Sequence, residues 1–133
     1  MAISLDKAFG ISAEAMVLRA KRAEILASNI ANADTPGYKA KGMDFQQALA
    51  NASKKLDMGM SRTNEKHFDV RMELNDGLGY RHPNQPDTGD GNTVDMQVER
   101  NLYLQNSLEY QASVNFLNGR IKAMKKALGG GQS

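Results

Sequence analysis

The sequence predicts a mainly α protein whose long N- and C-terminal helices pack antiparallel, in coiled-coil fashion, around an irregular middle containing a short helix and a small β-hairpin. Three observations predict it. Apolar residues recur at helical spacing through residues 3–32 and again through 94–128. The segment between them, 57–93, is rich in Gly, Asp, Asn, His and Arg. Each helical stretch is bounded on its inner side by a cluster of turn residues, at 29–38 and at 90–95. The expected division is a helical unit made of 1–33 and 92–128, a middle region of 34–91, and a flexible tail of 129–133.

In the first helix, Ala8, Ile11, Ala15, Leu18 and Ile25 form one apolar set, and Leu5, Phe9, Met16, Ala23, Leu26 and Ile30 form another beside it. The stripe is therefore wide, and a helix of about 28 residues, about 42 Å long at 1.5 Å per residue, needs partners on more than one side. Gly10 is its weak point, costing roughly 1 kcal/mol relative to Ala. The stop is abrupt. Pro36 disfavours helical geometry at Thr35 and Gly37 takes a positive φ readily, so the helix ends near Asn32. Asn29 and Asn32 share a face three residues apart, where their amides either satisfy terminal carbonyls or a loop, or meet a partner directly. Asp34 and Thr35 suit backbone bonding, Pro36-Gly37 suits a type II turn, and Tyr38 offers an aromatic anchor with a polar tip.

Residues 39–43 read as extended or irregular. Asp44 is a suitable N-cap for a short helix over 45–55, in which Phe45, Ala48, Leu49 and Ala52 share a face and Lys54 and Lys55 suit the C-terminal end of the dipole. His67 to Met72 alternates polar and apolar, predicting a strand, and residues 77–80 supply a second for a hairpin. Pro83, Pro86, Gly89 and Gly91 then make a loop. In Asp90-Gly91-Asn92-Thr93-Val94-Asp95, Gly91 turns the chain, Asn92 or Thr93 caps, and Asp95 takes a capping-box-like place. The long second helix carries the stripe Val94, Val98, Leu104, Leu108, Val114, Leu117, Ile121, Met124 and Leu128, interrupted by Gln105, Glu109 and Gln111 and ended by three glycines.

Asn29-Ile30-Ala31-Asn32 followed by Thr35-Pro36-Gly37-Tyr38 resembles the signature of the bacterial flagellar axial proteins, the rod, hook and hook-associated subunits. The stretches 90–96, 106–111 and 121–124, with 19–26 ahead of the first motif, narrow the resemblance to the rod proteins of the basal body, in particular the proximal rod. The resemblance implies a structural subunit that links the inner-membrane ring to the axial structure and transmits torque. It also implies export through the type III apparatus without a cleaved signal peptide, and residence in the basal body on the periplasmic side. Its implied partners are copies of itself, other rod proteins, the ring and its rod-adaptor protein, and the export apparatus. Ile11, Leu18, Ile25, Leu104, Leu108, Leu117, Ile121, Met124 and Leu128 are then the residues expected to pack within and between subunits. The rival readings are an export chaperone or adaptor and a small helical binding module.

Composition narrows the classes further. At 133 residues the chain has the size of one domain, and 41% apolar content suffices for a core, but two helical ends around a polar middle suit a subunit that completes its core with neighbours. A net charge of +2, from 17 basic and 15 acidic residues, is too balanced to argue for nucleic acid. Without cysteine there is no disulfide and no thiolate zinc site. The N-terminus lacks the basic start and apolar run of about 7 to 15 residues typical of a signal peptide. No stretch approaches the roughly 18 uninterrupted apolar residues of a membrane span, so no direct membrane insertion is expected. Ser4-Leu5-Asp6-Lys7 lacks the companion motifs of a Ser-x-x-Lys enzyme. Gly89 and Gly91 occupy ligand positions in what would be a calcium loop at 87–95. His67 and His82 have no accompanying carboxylate pattern. No nucleophile, base and oxyanion site assembles, and the expectation is a protein without cofactor, metal or catalysis.

Overall fold

Helical spacing at both ends and turn residues between them set the architecture. The structure, a computed structural model, describes residues 5–57, 77–82 and 89–129. In chain order these form α1 (Leu5–Ala31), β1 (Lys41–Met43), α2 (Phe45–Asp57), β2 (Leu78–Tyr80) and α3 (Met96–Leu128). At 27 and 33 residues, α1 and α3 dominate the molecule. They run antiparallel and in step. Asn29 of α1 meets Glu99 of α3, while Arg19, ten residues back, meets Glu109, ten residues on.

The apolar core lies on a different side of α1. Leu18, Met43 and Ala48 are buried together, with Ile25, Phe45, Leu49 and Ala52 packed against them, so the core joins α1 to β1 and α2. Leu26 is also buried, at 2% exposure. The seam between α1 and α3 is polar by contrast: the buried residues of α3 are Glu99 and Asn106. The residues expected to pack within and between subunits are differently placed in the single chain. Val98, Leu104, Leu108, Phe116 and Leu128 are exposed, and Val114, Leu117, Ile121 and Met124 are only half-buried. On α1, Ile11 is exposed, Leu18 buried and Ile25 half-buried. The physical reason is that α3 presents Glu99 and Asn106 to polar partners on α1, which offsets the cost of burying them, and that rotation turns the apolar row outward.

Two further departures have local causes. α1 bends at Gly10, whose φ of 47° and ψ of −137° are outside the helical range. The sequence reads Asn92 or Thr93 as the cap of α3, with Val94 already in the stripe, but the N-cap is Asp95, whose carboxylate accepts from the Gln97 and Val98 backbone N–H groups. Asn92 and Thr93 have other partners, described below. Asp44 caps α2 as its sequence suggests, accepting from the Gln47 N–H at 3.0 Å.

The two-stranded sheet pairs β1 with β2 antiparallel, with Lys41 opposite Tyr80, Gly42 opposite Gly79 and Met43 opposite Leu78. Thus residues 41–43, read as extended or irregular, form a strand. Bonds from Arg81 N–H to Ala40 O (2.9 Å) and from Asp44 N–H to Gly77 O (3.1 Å) continue the pairing at both ends. The strand expected at 67–72, and with it the hairpin partner proposed for 77–80, lies outside the described residues. No helix among the described residues is long and apolar enough to cross a membrane.

The position of the core predicts a contrast between two leucines. Leu26→Ala should lower the free energy of unfolding by about 2–4 kcal/mol, whereas Leu104→Ala should change it by less than about 0.5 kcal/mol. Urea unfolding followed by circular dichroism checks both, and equal losses would contradict the observed burial.

Candidate functional site

The two turn clusters are far apart in sequence and form a single joint in space. α1 ends with carbonyls that its own backbone cannot satisfy. The Asn92 side-chain amide donates to three acceptors there, the carbonyls of Asn32 (3.0 Å), Ala33 (2.8 Å) and Thr35 (2.8 Å), while its oxygen accepts from the Val94 N–H at 2.8 Å. Backbone bonds run beside it. Gly37 N–H donates to Asp90 O at 2.8 Å and Thr93 N–H to Tyr38 O at 3.0 Å. The Thr93 hydroxyl accepts from Ala40 N–H at 2.8 Å, and Lys39 Nζ donates to Gly91 O at 2.8 Å. Asn92 and Thr93 therefore serve the joint, leaving Asp95 to cap α3.

Glycine is required where the two loops touch. The reason is backbone conformation and not space: Gly37 and Gly91 have φ of 72° and 74°, in the region that side chains disfavour, while a Cβ on Gly91 would make an ordinary contact at 3.6 Å with Gly37 Cα. Tyr38 N–H donates to Thr35 O at 3.2 Å, closing the turn over Pro36-Gly37, and Asp34, Thr35 and Pro36 remain exposed at its rim. Asn32 donates to Ser28 O at 2.8 Å and accepts from the Thr35 hydroxyl at 3.2 Å.

Beneath the joint lies a buried polar network centred on Asn29, which is 0% exposed, and Glu99, which is 1% exposed. Asn29 Nδ2 donates to Lys41 O (2.8 Å) and to Glu99 Oε2 (3.0 Å). Its Oδ1 accepts from Lys41 N–H (3.0 Å) and from the Tyr38 hydroxyl (3.3 Å). One carboxamide thus closes the outer edge of β1 and holds α3. Arg81 Nη2 reaches both Glu99 oxygens at 2.8 Å, fastening the end of β2 to the same carboxylate.

Farther along the seam, Asn106 Nδ2 donates to Arg19 O at 2.9 Å, and the Arg19 guanidinium pairs with Glu109 while lying 4.4 Å from the centre of the Phe45 ring. Arg19 Nε and Asn106 Oδ1 are buried without a hydrogen-bond partner among the described residues, so this part of the seam carries an unmet polar cost. The Gln105 amide, followed by the Arg19 guanidinium, holds the Glu109 carboxyl below its ordinary value of 4.5 against a smaller opposing effect of burial, with Arg22 adding to the lowering.

Sequence reasoning singled out Asn29, Asn32, Asp34 to Tyr38 and Asp90 to Asp95: the structure brings Asn32, Thr35, Gly37, Tyr38 and Asp90 to Thr93 to the joint, with Asp34 and Pro36 at its rim, Asn29 in the network beneath it and Asp95 capping α3. It missed Glu99, Arg81, Arg19 and Asn106. A signal for the α3 members was present: Glu99, Asn106 and Ser113 recur every seven residues, with Leu102 and Glu109 in the complementary row, which is a seam pattern whose members happen to be polar. The chemistry on offer is tethering. An open hollow of about 330 Å³ beside the sheet is lined by Arg22, Leu26, Met43, Arg81 and Leu102 among others. Among the described residues no three His, Asp or Glu gather as metal ligands.

The architecture is two long helices stitched by polar pairs, with apolar side chains exposed along one of them, a scaffold without an assembled catalytic site among the described residues. The family described as Flagella basal body rod protein matches residues 10–39. Flagellar basal body rod protein FlgB of Aeromonas hydrophila is 55% identical over 132 residues, spanning 99% of this chain and 100% of that protein. The FlgB proteins of Escherichia coli K12 and Proteus mirabilis HI4320 are each 42% identical, over 96% and 93% of this chain and 96% and 95% of their own lengths. The chain belongs to the FlgB family of flagellar basal body rod proteins, structural subunits of the bacterial flagellar rod.

Two outcomes are expected at the site. Asn92→Ala should lower the unfolding free energy by about 1–3 kcal/mol, because the carbonyls it serves lose their donor, and urea titration measures the loss. Glu109 gives a pH dependence. Its pKa is lower folded than unfolded, so the stabilisation is present above pH 4.5 and is lost as pH falls through the folded value. Thermal melts below pH 4.5 should fall more steeply for the natural chain than for Glu109→Gln, and parallel profiles would remove Glu109 from the seam's electrostatics.

Proposed function

We propose that this chain is a subunit of the proximal rod, joining the inner-membrane ring to the axial structure and transmitting torque. The observation that carries the reading is the outward apolar row of α3: Leu104 is 61%, Leu108 60% and Phe116 62% exposed on a helix whose inner seam is already filled by polar pairs. Large side chains in such a row bury their surface against neighbours, at roughly 25 cal/mol per Å² of apolar area removed from water. The partners in this reading are copies of the chain, other rod proteins, the ring with its rod-adaptor protein, and the type III apparatus that exports the chain uncleaved to the periplasmic side.

The mechanism is mechanical and involves no catalysis, metal, cofactor or nucleic acid. The stem of α1 and α3 forms the load-bearing axial unit, with β1 and α2 packed against α1. Torque requires that the two helices do not slide, and the directional pairs Asn29–Glu99, Arg81–Glu99 and Arg19–Glu109 resist sliding in a way that an apolar seam does not. The packing residues divide accordingly. Leu18 and Ile25 belong to the chain's own core, Leu104, Leu108, Leu128 and Ile11 are exposed and available to neighbours, and Leu117 and Met124, about five turns beyond Glu99 and Asn106, are half-buried with Ile121 toward the α1 side of the helix.

Electron microscopy of basal bodies from otherwise intact cells lacking the chain tests this. Membrane rings without a rod, restored by supplying the chain, are expected; normal rods would overturn the reading. Leu108→Asp sharpens the test, since it places a charge on an exposed face. The variant should keep wild-type unfolding behaviour and export while rods fail to form. Normal rods with Leu108→Asp would take that row out of the assembly surface.

A further inference from the structure

The two ends of the stem carry opposite charge. Residues 28–38 and 89–98, which form the joint and the start of α3, include Asp34, Asp90 and Asp95 and no Lys or Arg. Asp34 and Asp90 are exposed, and Asp95 is half-buried at its cap. From residue 110 to the end of α3 the chain holds Arg120, Lys122, Lys125 and Lys126 and no Asp or Glu, and all four cations are exposed. On α1, Asp6 and Lys7 near that end cancel in formal charge. A helix of 33 residues is about 50 Å long, several times the roughly 10 Å screening length at 0.1 M salt, so the two ends of one molecule do not neutralise each other.

Helix dipoles account for part of this pattern. Cations complement the C-terminal end of a helix over about its last turn, which covers Lys125 and Lys126. Arg120 and Lys122 precede that turn. At the joint the rule is reversed: α1 has no basic residue in its last turn, and Asp34 follows where a cation is favoured. Lys39, the next cation along the chain, donates to Gly91 O. The basic end also projects. In the register set by Asn29–Glu99 and Arg19–Glu109, even a straight α1 would bring its first residue, Leu5, opposite Ala123, so the last turn of α3 reaches past it with Lys125, Lys126 and Leu128 exposed.

We propose that the basic end of α3, Arg120 to Lys126, docks on the acidic joint of a second copy, at Asp34 and Asp90 with Asp95 beside them, so that stems join head to tail. The inference rests on the rod reading in taking a second copy as the partner, and it names the contact. Two different surfaces meet, so the contact does not close on itself, and the same step repeats along one direction. A cation brought to the joint also meets the end of α1 that lacks one. Leu128, 82% exposed, and Pro36 at the rim of the joint add apolar surface to the same contact.

The chain has no cysteine, so single cysteines report which surfaces meet. Gln97→Cys marks the joint end and Ala127→Cys the basic end, both at exposed positions without charge. With a short bismaleimide at low salt, a mixture of the two purified variants should give a cross-linked dimer, and neither variant alone should. Raising the salt to about 1 M, where the screening length is about 3 Å, should remove most of the product. An exposed opposite-charge contact contributes about 1.4- to 5-fold in association, so Lys122→Glu on the Ala127→Cys chain, which turns one attraction into a repulsion, should lower the yield by about 2- to 25-fold. Lys54→Glu, the same charge change at an exposed residue of α2, should leave it unchanged. Absence of the mixed dimer, an equal yield from either variant alone, indifference to salt, or an equal loss with Lys54→Glu would each overturn the contact. Binding of the natural chain to phosphatidylglycerol vesicles, lost with Lys122→Glu and unaccompanied by the mixed dimer, would overturn it too, assigning the basic end to a lipid surface. Micrographs of basal bodies from cells lacking the chain bear on the rod reading alone, and the cross-link on the purified chain can fail while that reading stands.

Discussion

The carboxamide of Asn29 is the point on which the rest of the structure depends. It spends two donors and two accepting contacts on four groups from β1, the Tyr38 ring and α3, and it is sealed from water. A side chain so placed cannot be replaced by an apolar one of similar volume without stranding the Glu99 carboxylate and the Lys41 backbone together. The Arg81 pair then carries the same constraint to β2. Geometry at one buried centre consequently fixes where four elements meet, which an apolar core of this size would define less sharply.

The division of labour between polar and apolar contacts follows from that centre. Within the chain, directional bonds set register between α1 and α3, and a small apolar cluster attaches β1 and α2 to the other face of α1. The outward leucines and Phe116 are non-directional apolar area that the chain itself leaves uncovered. A chain arranged in this way fixes its internal geometry by polar contacts while large apolar side chains stay uncovered. Arg19 Nε and Asn106 Oδ1, buried without a hydrogen-bond partner among the described residues, fit the same pattern, in which alignment of the seam comes at some expense in stability.

Much of the fold was legible in sequence. The wide apolar stripe gave α1, Asp44 gave the start of α2, and Pro36-Gly37 gave the turn, each through a local rule that tertiary context did not override. The antiparallel pairing of the long helices was legible too. What local rules could not supply was rotation. Leu104 and Leu108 lie on a plausible core stripe, and only the partners waiting for Glu99 and Asn106 reveal that the helix turns them outward. The same limit explains the cap. Asn92 and Thr93 are good N-cap residues in isolation, but their side chains are claimed by residues 32–40, more than fifty positions away, so capping passes to Asp95. At the site, both motifs stood out as punctuation while their convergence did not, since nothing in either stretch encodes the other's position. Gly79 and Gly42 facing one another in a sheet is equally a non-local fact.

The contact between Gly37 and Gly91 makes residues 38–90 a closed excursion. The chain leaves the stem and returns to it at one spot, where the Gly37 N–H meets the Asp90 carbonyl. A second clasp, β1 with β2, repeats the closure farther out. Whatever lies beyond that clasp is attached by two strands already side by side, and lengthening such an insert costs only about 0.6 kcal/mol per doubling. The stem therefore behaves as a socket. Inserts of different size can be mounted on an unchanged helical pair, which is a route by which one axial scaffold diversifies its outer surface while every subunit keeps the same footing.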